Sequence, residues 1–180
     1  MRYNLETICK KLKQGEVVAL PTETVYGLAA SLVCREAINQ IFVLKGRPKD
    51  NPLIVHGASF SQLEHYCEEI PLGLKVLVET FWPGPLTLVL KAKSKLIPAS
   101  VSAGLETTAL RVPKHPLTLK VLEEVGPLVM PSANLSGNPS ATRAEHVEMD
   151  FGEEFPVLDG GACCLGVEST VLIYRNGRWE

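Results

Sequence analysis

Hydrophobic positions along the chain repeat with two different periods, and together they predict an α/β protein. Leu5, Ile8 and Leu12 recur at the spacing of one helix face. Asn4 can cap the start of this helix, and Gly15 can end it. Similar spacing predicts further helices within residues 37–45, 59–70, 71–82, 116–126 and 141–152.

Short runs rich in Val, Leu, Ile and Thr lie between these helices and predict strands. The runs occupy residues 16–21, 52–57, 84–92, 107–113, 127–134, 155–161 and 169–174. Because helices and strands interleave, we expect one sheet covered by helices. Consecutive strands around 86–112 and the turn "RNG" near the end predict some antiparallel pairing. The expected fold is therefore α/β, a single-domain twisted mixed sheet flanked by helices over residues 1–180, with no second domain.

Composition narrows the functional classes. A chain of 180 residues suits one domain, and its net charge of −2 argues against a general nucleic-acid coat. No apolar run approaches the ~20 residues of a membrane span, and the first residues lack the apolar core of a secretory leader. The five cysteines include no Cys-x-x-Cys spacing, which favours reduced thiols. We therefore expect a soluble cytoplasmic protein without membrane contact.

Polar side chains gather next to the ends of several predicted strands. Ligands of open α/β sheets often bind beyond strand ends, so we expect these loops to converge on one cleft. Gly137 would let the backbone of one loop approach a ligand closely. The polar residues concerned are Thr22, Glu23, Thr24, Ser132, Asn134, Ser136, Ser140, Thr142, Glu168, Ser169 and Thr170.

Basic residues predict that this cleft is positively charged. Lys45, Arg47 and Lys49 fall within five residues at the end of a predicted helix. Arg111 lies in an apolar strand, where a guanidinium is costly unless it meets an anion. Neither G-x-x-x-x-G-K-[ST] nor G-x-G-x-x-G is present. The residues alone therefore predict a positively charged, concave anion site with hydroxyl-rich walls, suited to a polyphosphate.

Six ordered sequence blocks extend this interpretation. They are "PTETVYGLAA", "LKGRPKDNPLIVH", "FWPGPLTLVL", "TTALRVPKHP", "MPSANLSGNPS" and "GVESTVL". Together they closely resemble the YrdC-like family, the threonylcarbamoyl-AMP synthases, from about residue 5 to about residue 174. The hallmark of that resemblance is Lys45 and Arg47 followed by Ser132 and Asn134.

The resemblance implies a reaction. Such enzymes join L-threonine, bicarbonate or carbon dioxide, and ATP into L-threonylcarbamoyladenylate and release pyrophosphate. The product serves N6-threonylcarbamoyladenosine formation at position 37 of tRNA, so a tRNA-modifying threonylcarbamoyl transferase complex is the implied product acceptor. Mg²⁺ is expected with ATP, and no carboxylate cluster in the sequence marks a metal site held by the protein.

The resemblance also assigns roles to individual residues. Lys45 and Arg47 would be the catalytic pair that neutralises phosphate charge in the transition state. Arg111 would bind the carboxylate of threonine, because a planar guanidinium can do so bidentately. The implied threonine positions are Thr24, His56, Arg111, Ser132 and Ser169. The implied ATP positions are Lys45, Arg47, Asn51, Thr107, Asn134 and Thr142.

Structural alternatives remain open for the cations. Lys45 and Arg47 can also be the favourable charges found at many helix C-termini. Arg111 can also form a structural salt bridge with Glu106 or Glu168. In each case the side chain would stabilise the fold without touching a ligand.

The uncharged candidates have alternatives of the same kind. His56 can be an ordinary, hydrogen-bonded histidine at a strand end. Ser132 and Asn134 can form a hydrogen-bonded turn. Trp82 is expected in the core, and the sequence leaves undecided whether Tyr26 lines the threonine pocket.

The last residues depart from the family pattern. "STVLIYRNGRWE" predicts a strand, an Asn-Gly turn and a short returning strand. Members of the family usually continue with an arginine that reaches the nucleotide. The sequence leaves open whether Arg178 takes that part, whether the sequence is truncated before that arginine, or whether ATP binding is weaker.

Two other functions fit parts of the pattern. The basic concavity could bind double-stranded RNA or tRNA directly, as in an RNA-maturation factor, with an affinity that falls steeply with salt. Related domains in hydrogenase-maturation proteins handle carbamoyl-adenylate, but in much longer chains with acylphosphatase-like and zinc-finger segments. We expect the synthase.

Overall fold

The computed structural model describes residues 1–180 as an eight-stranded mixed sheet with helices against it. The strands are β1 Val18–Leu20, β2 Gly27–Ser31, β3 Ile54–His56, β4 Leu86–Lys91, β5 Thr107–Arg111, β6 Leu128–Val129, β7 Thr170–Arg175 and β8 Arg178–Trp179. The helices are α1 Leu5–Lys13, α2 Arg35–Lys45, α3 Phe60–Leu63, α4 Leu74–Phe81, α5 Ala99–Ser102, α6 Pro116–Val125 and α7 Ala144–Phe151. A short 3₁₀ helix, Glu64–Tyr66, continues α3.

Local signals set the helix ends that matter for the site. The side chain of Asn4 accepts a hydrogen bond from the Thr7 N–H at 2.9 Å, which confirms the predicted start of α1. Helix α2 ends at Lys45 because Gly46 adopts the left-handed conformation, with φ 60°. Lys45 is therefore the last helical residue, and the chain turns away directly after it.

The sheet combines parallel and antiparallel pairs, as predicted. Its strand order is β1-β2-β6-β3-β5-β4-β7-β8, and only the pairs β3–β5 and β4–β7 are parallel. In the β3–β5 pair, Val55 lies opposite Leu110 and His56 lies opposite Arg111. These two polar residues therefore end neighbouring strands side by side near the middle of the sheet.

Both faces of the sheet are covered. Along β1, Val18 and Leu20 pack into a cluster with α1 and α6, whereas Ala19 between them belongs to the larger cluster on the other face. This alternation follows from the period of two in a strand. None of the helices combines the length and the hydrophobicity of a membrane span. All five cysteines are free thiols.

Some predicted elements differ from the structure. Residues 155–161 form only isolated bridges at Val157, because Pro156 lacks an N–H and the following glycines bend the chain. Strand β2 was not predicted, since Gly27–Ser31 contains no β-branched residue. The Asn-Gly hairpin is confirmed, with φ 53° at Asn176 and φ 78° at Gly177.

Candidate active site

A cleft of ≈ 190 Å³ runs across the sheet face at β3. Ile54 and His56, two residues apart on the same face of β3, form part of its floor. The cleft crosses this face because β6 runs antiparallel to β3, which brings the residues after β6 beside the start of β3. The predicted site residues that line it are Thr24, Arg47, His56, Arg111, Ser132 and Ser169.

Arg111 is buried at the inner end of this cleft. Its Nη2 donates to Glu23 Oε1 at 2.7 Å and to Thr24 Oγ1 at 3.0 Å, and its Nε donates to the Gly84 carbonyl oxygen at 3.2 Å. Nη1 makes no hydrogen bond to the protein. Only Nη1, with its two N–H groups, thus remains for a ligand, and no pair of neighbouring nitrogens is left for the bidentate binding expected from the sequence.

The partner of Arg111 is neither of the two carboxylates proposed from the sequence. The Arg111–Glu23 ion pair replaces the expected pairing with Glu106 or Glu168. The two side chains expose only 5% and 8% of their surface. Burial of both charges is tolerated because each one compensates the other.

His56 is neutral and stands beside this pair. Burial, and next the charge of Arg111, lower the pKa of His56 to about 3. Its Nδ1 lies 3.3 Å from the carbonyl oxygen of Ile54, a contact that the tautomer protonated on Nδ1 satisfies. That tautomer leaves Nε2 as a hydrogen-bond acceptor.

Lys45 lies behind the cleft wall. Its Nζ donates to the carbonyl oxygens of Ser132 at 2.5 Å and Asn134 at 2.6 Å, and the residue is 2% exposed. Burial, and next the charge of Arg47, lower the pKa of Lys45 to about 8. Lys45 thus holds the loop after β6 in place, with one further N–H direction left.

Arg47 lines the mouth of the cleft and pairs with no carboxylate. Its Nη2 donates to the Pro52 carbonyl oxygen at 3.0 Å, and its Nε points at the Asn51 carbonyl oxygen at 3.4 Å. Burial lowers the pKa of Arg47, yet a guanidinium keeps its proton at neutral pH. Arg47 therefore brings to the cleft a positive charge that no carboxylate contacts, although the carboxylate of Glu168 also lines the cleft.

The loop after β6 is both a turn and a wall. Asn134 Nδ2 donates to the carbonyl oxygens of Leu135 and Asn138, each at 2.8 Å, whereas its buried Oδ1 has no partner. The predicted hydrogen-bonded turn is confirmed for the Asn134 side chain. An unpartnered buried oxygen of this kind is available to a donor from a ligand.

A hydroxyl edge closes the other side. Ser169 Oγ lies 2.7 Å from Thr87 Oγ1, and Glu168 accepts a hydrogen bond from Ser140. Thr142 faces a neighbouring hollow of ≈ 470 Å³ instead, which Ser140 also lines. The hydrogen-bonded pair Ser140 and Glu168 thus lies between the hollow and the cleft.

Other candidates lie outside the cleft. Asn51 is exposed beside Arg47. Thr107 begins β5 and Arg111 ends it, a separation of about 13 Å along the strand. Tyr26 is fully buried, and its hydroxyl donates to the Gly161 carbonyl oxygen at 2.8 Å, which makes it a structural residue.

Sequence reasoning missed the apolar part of the lining, which includes Val25, Leu53 and Met130. Their hydrophobic character indicated the core and gave no sign of a ligand. No group of three or more His, Cys, Asp or Glu side chains is arranged to hold a metal ion.

A known family matches nearly the whole chain. The Sua5/YciO/YrdC family model, described as telomere recombination, matches residues 10–180. The threonylcarbamoyl-AMP synthase of Pyrococcus abyssi is 51% identical over 163 residues, which cover 89% of this chain and 48% of that protein. The synthase of Bacillus subtilis is 53% identical and is covered to 47%. The chain therefore spans about half the length of these curated relatives.

Solved structures share the fold. The crystal structure of P. abyssi Sua5 complexed with L-threonine has a TM-score of 0.93 at 46% identity, covering 97% of this chain and 52% of that one. Escherichia coli YciO has a TM-score of 0.84 at 20% identity, covering 98% of this chain and 86% of that one, and shows the likeness of fold alone.

Proposed function

The chain belongs to the Sua5/YciO/YrdC family, and on this premise we propose that it synthesises L-threonylcarbamoyladenylate. The substrates are L-threonine, bicarbonate or carbon dioxide, and ATP, and pyrophosphate is released. The product would pass to a threonylcarbamoyl transferase that modifies adenosine 37 of tRNA. The observation that carries the proposal is a single cleft that contains both a buried, directed guanidinium and an uncompensated one.

Threonine fits the inner end. A volume of ≈ 190 Å³ is below the ~300 Å³ at which pockets for drug-sized ligands begin, so it suits an amino acid. The free Nη1 of Arg111 binds the carboxylate, and Nε2 of His56 accepts from the side-chain hydroxyl. The remaining threonine-binding residues of this proposal are Thr24, Ser132 and Ser169.

ATP occupies the mouth and extends beyond it. Arg47 faces the phosphates, and Lys45 both supports the loop at Asn134 and adds positive charge behind it. The hollow beside Thr142 leaves room for the nucleoside. Asn51, beside Arg47, completes the proposed nucleotide-binding set, whereas Thr107 lies too far along β5 to belong to it.

The chemistry needs positioning and charge rather than a covalent nucleophile. The amine of threonine and carbon dioxide form a carbamate, whose oxygen attacks the α-phosphorus in line as the bond to pyrophosphate breaks. Both reactants are anions, so Arg47 and Lys45 reduce their repulsion and stabilise the transition state. Mg²⁺ bound to the triphosphate would supply further charge neutralisation.

The test is pyrophosphate release by the 180-residue chain, with threonine and bicarbonate each supplied or omitted. We expect release only when both are present, and a decrease of at least about 100-fold in Arg47→Ala, the loss of a charged contact in a confined site. Arg35→Ala is the matched control, because Arg35 is exposed at the start of the same helix that Lys45 ends.

Release without threonine, or equal activity of Arg47→Ala and Arg35→Ala, would contradict the proposal. A salt-dependent affinity for tRNA, in a chain that releases no pyrophosphate, would favour the RNA-binding alternative instead.

A further inference from the structure

The cleft contains two guanidinium groups, and each of the two proposed anionic ligands, ATP and threonine, must bind to the correct one. Arg47 and Arg111 both line it, and the phosphates of ATP carry more charge than the carboxylate of an amino acid. Arg47 donates only to backbone carbonyl oxygens. Arg111 is held by a carboxylate, and this difference is the starting point for a role of Glu23.

Both oxygens of Glu23 are occupied. Oε1 accepts from Arg111 Nη2 at 2.7 Å, and Oε2 accepts from the backbone N–H of Lys114 at 2.9 Å. The second bond fixes the carboxylate to the segment that follows β5, so the carboxylate cannot rotate with Arg111. Glu23 therefore determines the direction in which the guanidinium faces.

The backbone around Glu23 is equally constrained. Thr22 Oγ1 accepts from the N–H groups of Thr24 and Val25 and donates to the carbonyl oxygen of Val25. The carbonyl oxygen of Glu23 itself accepts from the N–H of Leu165 at 2.9 Å. A carboxylate on so fixed a turn is preorganised, which is the requirement for a residue that positions another.

The charges of the inner end nearly cancel. Arg111 and Glu23 sum to zero, and the neighbouring His56 is neutral. The carboxylate of Glu168 also lines the cleft, on the side where it accepts a hydrogen bond from Ser140, and adds to the repulsion of a dianion. One carboxylate can bind at the inner end to the N–H groups of Arg111 Nη1 with a single added charge. A phosphate or sulfate dianion would bring two charges into a buried place and would meet repulsion from Glu23.

We propose that Glu23 is the positioning and specificity-determining residue of the amino-acid site: it aims Arg111 and cancels its charge, so that this end accepts a monocarboxylate and rejects phosphate groups. The proposal rests on the synthase function proposed above. It leaves Arg47 as the phosphate-binding arginine, because no carboxylate contacts that residue.

The test is calorimetric binding of L-threonine without ATP, repeated with sulfate as the competing dianion at constant ionic strength. In wild type we expect sulfate to displace threonine only weakly. In Glu23→Gln the inhibition constant of sulfate should fall by about tenfold or more, because a buried negative charge is gone. Glu16→Gln, which removes an exposed ion pair with Lys11, is the control and should behave as wild type.

A second variant separates the effect of Glu23 on the orientation of Arg111 from the effect of its charge. Glu23→Asp keeps the charge but shortens the side chain, so sulfate should remain excluded while the dissociation constant of threonine rises by about tenfold. This variant also provides the test if Glu23→Gln fails to fold. Unchanged sulfate exclusion in Glu23→Gln, or unchanged threonine affinity in Glu23→Asp, would overturn the proposal. Failure of wild type to bind threonine would instead contradict the proposed function.

Discussion

Arg47 and Arg111 line the same cleft, yet the protein treats their charges in opposite ways. Arg111 is buried, paired with Glu23 and fixed by three acceptors. Arg47 is half-buried and donates hydrogen bonds only to the carbonyl oxygens of Asn51 and Pro52. The comparison teaches that a buried, paired arginine can bind a ligand in one fixed orientation, whereas a partly exposed, unpaired arginine contributes net positive charge.

The two arginines also lie on structural elements of different rigidity. Arg111 ends a central strand with neighbours on both sides, whereas Arg47 follows the left-handed Gly46 in a connecting segment. The inner end is therefore rigid by construction. The mouth depends on loop contacts, chiefly those made by Lys45.

The largest effect should come from breaking the buried pair. Arg111→Met leaves Glu23 charged and unpaired, which should lower the free energy of unfolding by about 3–5 kcal/mol. Adding Glu23→Leu should restore most of it, since two apolar side chains can replace a buried ion pair. Urea denaturation of both variants measures this.

The same two variants separate stability from activity. Threonine-dependent pyrophosphate release should fall by at least about 100-fold in each, because both lack the carboxylate-binding group. A double variant that regains both stability and activity would show that Arg111 is structural only.

A smaller effect concerns Lys45 and pH. Lysine ordinarily titrates at 10.5, and the pKa of Lys45 is lowered to about 8. Between these values the folded chain binds fewer protons than the unfolded chain, so the free energy of unfolding should rise with pH. The rise attributable to Lys45 is about 3 kcal/mol at most. Comparing the pH dependence of wild type and Lys45→Met in urea isolates it, and identical slopes would refute the lowered pKa.

The smallest effect should be that of Thr107. Its distance of about 13 Å along β5 from Arg111 leaves it outside the cleft. Thr107→Val should leave threonine binding unchanged and raise the KM for ATP about twofold at most, less than the loss of one full hydrogen bond. A tenfold increase would show that the nucleotide extends along β5.

Elements with local signals could be predicted from the sequence. Asn4 caps α1 and Gly46 ends α2, and each acts through neighbouring residues alone. The site residues Thr24, His56, Arg111, Ser132 and Ser169 came from a family resemblance, and the structure does bring them to one cleft. Strand β2 was missed because its burial, rather than its propensity, makes it a strand.

The remaining features depend on contacts distant in sequence. Glu23 and Arg111 are 88 residues apart, so no local pattern could identify the partner. Lys45 binds two backbone carbonyl groups after β6, and carbonyl groups are the same in every residue. The sequence thus indicated which segments are rich in basic residues, but only the fold determines which basic side chain is paired with a carboxylate.

The short parallel pair β3–β5 has a consequence for the dynamics of the site. Amide protons of β5 are protected by strands on both sides, so we expect them to exchange with solvent only through global unfolding. The exposed residues 135–139, two of which line the hollow proposed for the nucleoside, should exchange through local opening at much lower free energy. The threonine-binding residues His56 and Arg111 would then keep their positions while the ATP side of the cleft opens and closes. Threonine would therefore stay bound while ATP enters or leaves.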